Sequence, residues 1–386
     1  MGNFGAGEAE AFRRAMSRKR SAEIMESYRA KFLAGSKANG VSETVATRVF
    51  ENLKGFAEFG FPKSHSVSFA LLAYQTAWMK RYYPVEFFCG LFNNQPMGFY
   101  PPHVLTNDAK RHGISVVRPD INISQVTCSV EHDAHEQLER GGVRVGLGYV
   151  RQVGEAGAAV IAEERERGGE YQSLFDFVQR TGLARRATES LIRIGAFDTF
   201  GMNRRELLWQ LGLLGDGLVR SNLRIPKQRQ LQLQLSTQQD AVPLANFTAY
   251  QRMAADYELL GLSPDSHPMT FLRPALGEGV QSSRHLQSLP GNSRVSVAGL
   301  VICRQRPQTA RGLVFLLLED EFGMVNVMIS KEMDEEQAIL VRTAMFLEVD
   351  GIAEKRAGEQ RTVVATALRE IIPAEALLTP EGKNWG

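Results

Sequence analysis

Cysteine is scarce in this 386-residue chain: Cys89, Cys128 and Cys303 are odd in number, far apart and outside any Cys-x-x-Cys spacing. That pattern argues against a disulfide framework or a structural zinc and fits a reducing cytoplasm. Aspartate is absent from the leading segment, and the first is Asp108. Long apolar runs are absent too. The longest are interrupted by Gln, Lys or Tyr and stay under the ~20 residues of a membrane span, so no membrane partner is expected. The start, MGNFGAGEAEAF, lacks the charged stretch and apolar run of a signal peptide. No Gly-x-Ser-x-Gly, His-Glu-x-x-His or P-loop pattern occurs. His132 and His135 lie in a polar run without a Cys or third His nearby. Solvated loop histidines are the expectation there, not a metal site.

The bulk composition, 44% hydrophobic and 23% charged, is that of an ordinary soluble protein. At about 100–200 residues per domain, the length calls for more than one core. The net charge of +2 hides an asymmetry, because residues 1–81 carry 13 Lys and Arg against 7 Glu. A basic leading segment suits a polyanion such as DNA or a nucleotide triphosphate. A solvated basic face is the alternative.

Residues 1–95 read as helical, with one stretch over Glu8–Tyr28, a second from a Ser42 cap towards a stop at Gly55, and a third from Ser66 to Tyr83. Residues 96–215 hold a turn-rich patch, a short helix, a strand hairpin over 126–146 and then short helices with tight connections. Residues 216–290 begin with a Gln-rich tract, Lys227–Asp240, read as a linker, and become helical again between Pro264, Pro268 and Pro274. Over 291–372 five apolar or alternating runs are separated by turns, which predicts a five-stranded barrel of the OB type. In it, Glu319–Gly323 is the polar turn joining the second and third strands. Residues 373–386 form a tail. The expected fold class is α+β multidomain: helices and a helix-hairpin-helix region, then the barrel. OB folds commonly bind single strands, and a structural or protein-binding barrel is the alternative.

Four places carry candidate chemistry. Arg13, Arg14, Arg18, Lys19 and Arg20 crowd one helix and its end, where guanidinium groups suit phosphate; a solvent-facing basic helix is the alternative. Lys63, Ser64 and His65 precede a helix start, which suits an anion, unless Ser64 or Ser66 is only a cap. In the helix that follows, Phe69, Leu72 and Trp78 are expected in the core. The run GLGYVRQVGEAG places Gln152, Val153 and Gly154 where a hairpin between two helices grips one phosphate of a duplex, with Arg151 beside it. Gln152 replaces the usual first glycine. A second turn, Thr181–Arg186, brings Arg185 and Arg186. A purely structural helical hairpin is the alternative for both.

GEAEAFRRAM, FGFPKSHSVSFALLAYQTAWMKRYYPVEFF and NNQPMGFYPP resemble the fingers region of bacterial DNA polymerase III alpha subunits, the C-family. FNNQPMGFYPPHVLTNDAKRHG is similar to the error-prone, damage-inducible branch. LIRIGAFDTFG, ADYELLGLSPDSHPM and the C-terminal barrel match later parts. The resemblance implies that Arg13, Arg14, Lys19, Lys63, Ser64 and His65 face an incoming nucleotide. It also implies that Arg151, Val153, Gly154, Arg185 and Arg186 hold duplex DNA, and that the barrel lies near the single-stranded template. Translesion or clamp proteins are further implied partners. The stretch nearest to a clamp-binding peptide, Gln232–Leu235, has no aromatic anchor and reads as linker rather than as such a peptide. In this family the metal-holding Asp residues belong to a palm preceding the fingers. A chain without Asp before Asp108 is therefore expected to contribute no catalytic residue and to bind no cofactor, Mg2+ being expected only with a palm. The implied role is nucleotide and DNA binding in damage-tolerant synthesis; a stand-alone, non-catalytic DNA-binding module is the alternative.

Overall fold

The computed structural model describes residues 2–16, 21–58, 63–98, 100–131, 141–214, 243–307, 310, 312–355, 361–373 and 383–385. Lys19, His132, His135 and the tract 227–240, with Gln232–Leu235 inside it, lie outside the described residues. Two compact units result, Met1–Tyr82 and Tyr83–Gly386.

In the first unit α1 (Ala6–Met16), α2 (Ser21–Ser27), α3 (Arg29–Ala38) and α4 (Glu43–Glu58) are followed by α5 (Lys63–Tyr82). Phe12, Phe32 and Phe50 form its core, with Phe12 and Tyr28 edge to face at 5.4 Å. The aromatic cluster draws α1, α2, α3 and α4 together. Helix α4 runs past Gly55, the expected stop, because the packing of Phe50 outweighs the ~1 kcal/mol that a mid-helix glycine costs. Helix α5 departs further from expectation. It opens at Lys63, so Lys63, Ser64 and His65 form its first turn and not a preceding loop. Phe69, Leu72 and Trp78, expected in the core, are 59%, 55% and 44% exposed. Apolar residues surround α5 on every side, so spacing alone designates no inner face.

The second unit begins with α6 (Pro84–Asn93) and α7 (Pro102–Arg111). A small sheet follows, β1 (Ser115–Val117), β2 (Ser129–Glu131) and β3 (Gly142–Arg144), with β3 in the middle, parallel to β1 and antiparallel to β2. Then come α8 (Gly154–Gly168), α9 (Leu174–Thr181), α10 (Arg185–Arg193) and α11 (Arg204–Leu213). Phe88, Phe92, Leu147, Ile161, Phe177 and Phe197 are buried in one core beneath them. Helix α12 (Ala249–Leu260) and the short α13 (Pro268–Leu272) join this layer. Arg118 ties them in, bonding both carboxylate oxygens of buried Asp256 at 2.5 and 2.9 Å and one of Asp265 at 2.7 Å.

After the short β4 (Val280–Gln281), which pairs parallel with β5, a closed five-stranded barrel completes the unit: β5 (Ser293–Gln305), β6 (Val314–Glu319), β7 (Met324–Ile329), β8 (Phe346–Lys355) and β9 (Arg361–Glu370). Val325, Val327 and Ile329 alternate inward along β7, as the period of two requires. The long β5 pairs antiparallel with β8 from Ser293 to Leu300 and with β6 from Leu300 to Gln305. An irregularity between Val301 and Cys303 marks where it bends between its partners. Antiparallel β6–β7, parallel β7–β9 and antiparallel β9–β8 pairings close the ring. This is the OB fold. Its outer flank at Ala298, Leu300, Ile302 and Phe346 is buried against Val104 of α7, Met253 and Tyr257 of α12, and Met269 and Leu272 of α13. The barrel is thus packed firmly onto the helical layer.

Candidate nucleic-acid interface

The hairpin at 147–157 owes its shape to two residues with left-handed backbone. After the single 3-10 turn Leu147–Tyr149, Gln152 has φ +72° and Gly154 φ +60°. The amides of Val153 and Gly154 both donate to the carbonyl of Val150 at 3.1 Å, which folds the chain back into α8. Gln152 therefore adopts the geometry that glycine favours, at a cost of about 1–2 kcal/mol. A Cβ on Gly154 would meet nothing within 4 Å, so only conformation demands glycine there. Val153 is 8% exposed and sits in the core beneath the turn. Its side chain anchors the hairpin from inside and is not available to a partner. Arg151 and Gln152 are exposed at the tip.

A helix leaves its first four amides without intrahelical partners. In α8, Gly154 bonds Val150 and Gly157 bonds Val153, while Glu155 and Ala156 lie at exposed positions in the same turn. The second turn lies alongside: a Cβ on Gly157 would stand 3.1 Å from Val153 and 3.4 Å from Leu183. Gly182, left-handed at φ +58°, closes α9, and α10 starts at Arg185. Arg186 is exposed, and Arg185 pairs with Glu189 at 3.1 Å. Two helix starts and three arginines thus belong to one small region. Donors of this kind hold a phosphate backbone without reading sequence.

The candidate residues of the first unit are placed differently. Arg13 and Arg14 both pair with Glu10, at 2.8 and 2.9 Å, so one carboxylate already faces them. The two guanidinium groups hold the Glu10 carboxyl down at about 2. Ser64 and His65 lie in the first turn of α5, where the His65 ring stands 4.4 Å from Phe69. The side chain of Lys63 lies outside what the structure describes.

The polar turn of the barrel is more than a turn. Glu319 is fully buried; it accepts from Asn107 at 3.0 Å and from Arg111 at 3.1 Å, both on α7. The buried rings of His103 and His267 belong to the same cluster, with His267 Nε2 at 3.8 Å from Glu319. Burial pushes the Glu319 carboxyl up, but His267, His103 and Arg111 outweigh it and hold it below the usual range. Asp320, 2% exposed, accepts from the Phe322 and Gly323 amides and from the amide and hydroxyl of Ser283. Nothing in the run Leu-Glu-Asp-Glu-Phe-Gly signals the burial of Glu319, whose partners Asn107 and Arg111 lie more than 200 residues away.

Among known families, the one described as a helix-hairpin-helix motif matches residues 113–207, and an OB-fold nucleic acid binding domain matches residues 295–371. The class is therefore a protein that joins a helix-hairpin-helix motif to an OB fold. More specifically, the chain is similar over nearly its whole length to proteins described as error-prone DNA polymerases. It is 41% identical over 373 residues to the error-prone DNA polymerase of Mycolicibacterium paratuberculosis, which covers 95% of this chain and 32% of that protein. With the protein of the same description from Anaeromyxobacter sp. (strain K), it shares 39% identity over 358 residues, 91% of this chain and 30% of the relative. The chain thus spans about a third of the length of these relatives.

Proposed function

We propose that the chain is the DNA-gripping portion of an error-prone DNA polymerase that acts in damage-tolerant synthesis. The paired turns hold the duplex by its phosphates, and the barrel handles the single-stranded template. The observation that carries this reading is the left-handed turn at Gln152–Gly154 leading into the start of α8, with exposed Arg151 and Arg186 in the same region. The homology supplies the polymerase context. Arg13, Arg14, Lys19, Lys63, Ser64 and His65 take the triphosphate of an incoming nucleotide, which would displace Arg13 and Arg14 from Glu10. The first 107 residues hold no Asp, which supports a reading in which the metal-holding carboxylates lie outside this chain.

Fluorescence anisotropy of the 386-residue chain with a labelled primer–template, titrated with salt, tests the reading. Each phosphate contact adds about −0.9 to the slope of log affinity against log salt on duplex DNA. Replacing Arg151 and Arg186 together by alanine should therefore flatten the slope by about two units. An unchanged slope would remove these arginines from the interface. The chain alone, given magnesium and four deoxynucleotides, should extend no primer; measurable extension would overturn the missing-carboxylate reading.

A further inference from the structure

The turn between β6 and β7 presents one aromatic ring to solvent. Phe322 is 39% exposed, although a turn of this kind is usually polar. The ring does not hang on a loose loop. The carboxylate of Asp320 fixes its backbone, accepting from the Phe322 amide at 2.9 Å, the Gly323 amide at 2.8 Å and the Ser283 amide at 2.7 Å. Two guanidinium groups flank the ring. Arg273 stands 5.9 Å from its centroid and is neutralised, paired with Glu321 and with Asp320 at 3.2 Å. Arg284 stands closer, 5.0 Å from the centroid. Among the described residues it pairs with no carboxylate, and it is exposed together with His285. The site therefore combines a rigid, half-open aromatic ring with an uncompensated cation beside it.

We infer that Phe322 and Arg284 form a stacking site for an unpaired nucleotide of single-stranded nucleic acid, resting on the DNA-binding reading above. A base would stack on the open part of the Phe322 ring, and its phosphodiester would pair with Arg284. Aromatic stacking accepts any base, and arginine adds both charge and a cation–π contact, so the site is sequence-tolerant. It lies at the end of the barrel that is tied to α7 through Glu319. Single-stranded nucleic acid is favoured over an acidic peptide because the ring belongs to an OB fold in a polymerase relative.

The test is anisotropy of the whole chain with a labelled single-stranded oligonucleotide and, separately, a blunt duplex, for the wild type, Phe322→Ala, Phe322→Trp and Arg284→Ala. Both side chains are exposed, so unchanged melting temperatures are expected and would show intact folding. Phe322→Ala should weaken single-strand binding about five-fold or more, Phe322→Trp should retain it, and neither should alter duplex binding. Arg284→Ala should flatten the single-strand salt slope by about 0.7. Wild-type single-strand binding that both alanine variants retain would overturn this inference alone. A wild type that binds neither oligonucleotide would overturn the DNA-binding reading itself. An acidic peptide that displaces the oligonucleotide only when Phe322 is present would reassign the site to protein.

Discussion

Glu319 joins the barrel to α7 through two side chains, Asn107 and Arg111, and a buried carboxylate without its partners is costly. Removing one member of such a cluster leaves uncompensated buried charge or polarity, worth about 3–5 kcal/mol. Glu319→Ala leaves buried Asn107 without its acceptor and Arg111 with only Asp108 at 3.7 Å, so denaturant unfolding should show a loss towards that size; a loss below about 1 kcal/mol would mean that the cluster contributes little. His103 gives the same junction a pH dependence. Burial, opposed by Glu319 and aided by His267, brings its pKa from the ordinary 6.5 down to about 4. The folded chain resists a proton that the unfolded chain accepts. This stability is therefore fully present above pH 6.5 and is lost as pH falls from 6.5 towards 4, about 3 kcal/mol in all. Glu319, also held low, adds a further loss below its ordinary 4.5. In His103→Phe, stability should change less between pH 6.5 and 4.5 than in the wild type, and denaturation midpoints at both pH values check it. Gly154 makes a different point. Its φ of +60° is one that residues with a Cβ adopt only at a cost, while space around it is open. Gly154→Ala should cost about 1–2 kcal/mol and weaken duplex binding, with binding falling more than global stability explains.

At the scale of elements, the hairpin and the barrel strands were legible because local signals and tertiary packing agree there. β7, MVNVMI, is β-branched and apolar, and the barrel buries every second residue, Val325, Val327 and Ile329. The turn at Gln152 was legible in place and not in geometry: no glycine marks it, yet the fold imposes left-handed backbone on a glutamine. Helix α5 was the miss. Its aromatics recur at helical spacing, which ordinarily means core, and they are exposed. Spacing reports a helix; which face is buried depends on a neighbour that sequence periodicity does not name. The double variant Leu71→Gln, Leu72→Gln should accordingly shift the unfolding free energy by no more than about 0.5 kcal/mol, as surface changes do. It should also raise solubility by breaking an apolar surface patch. Destabilisation of 2 kcal/mol or more would mean that α5 is covered.

On the scale of the whole molecule, the second unit reads as one grip with two modules. The helix-hairpin-helix layer and the barrel share buried contacts through α7, α12 and α13, and the ion pairs of Arg118 and Glu319 fix those helices in place. Such an assembly holds the hairpin and the barrel in fixed relation, which the proposed grip on duplex and single strand would require. The candidate residues are only partly readable from sequence for the same reason. Arginines can be counted along the chain, but Glu10 and Glu189 already engage Arg13, Arg14 and Arg185, whereas Arg151 and Arg186 stand exposed. The most direct measurement is the affinity of the intact chain for a primer–template as a function of salt. The account predicts tight binding at low salt and a log–log slope of several negative units, reduced by about two when Arg151 and Arg186 are replaced. Absent binding, or an affinity indifferent to salt, would contradict it.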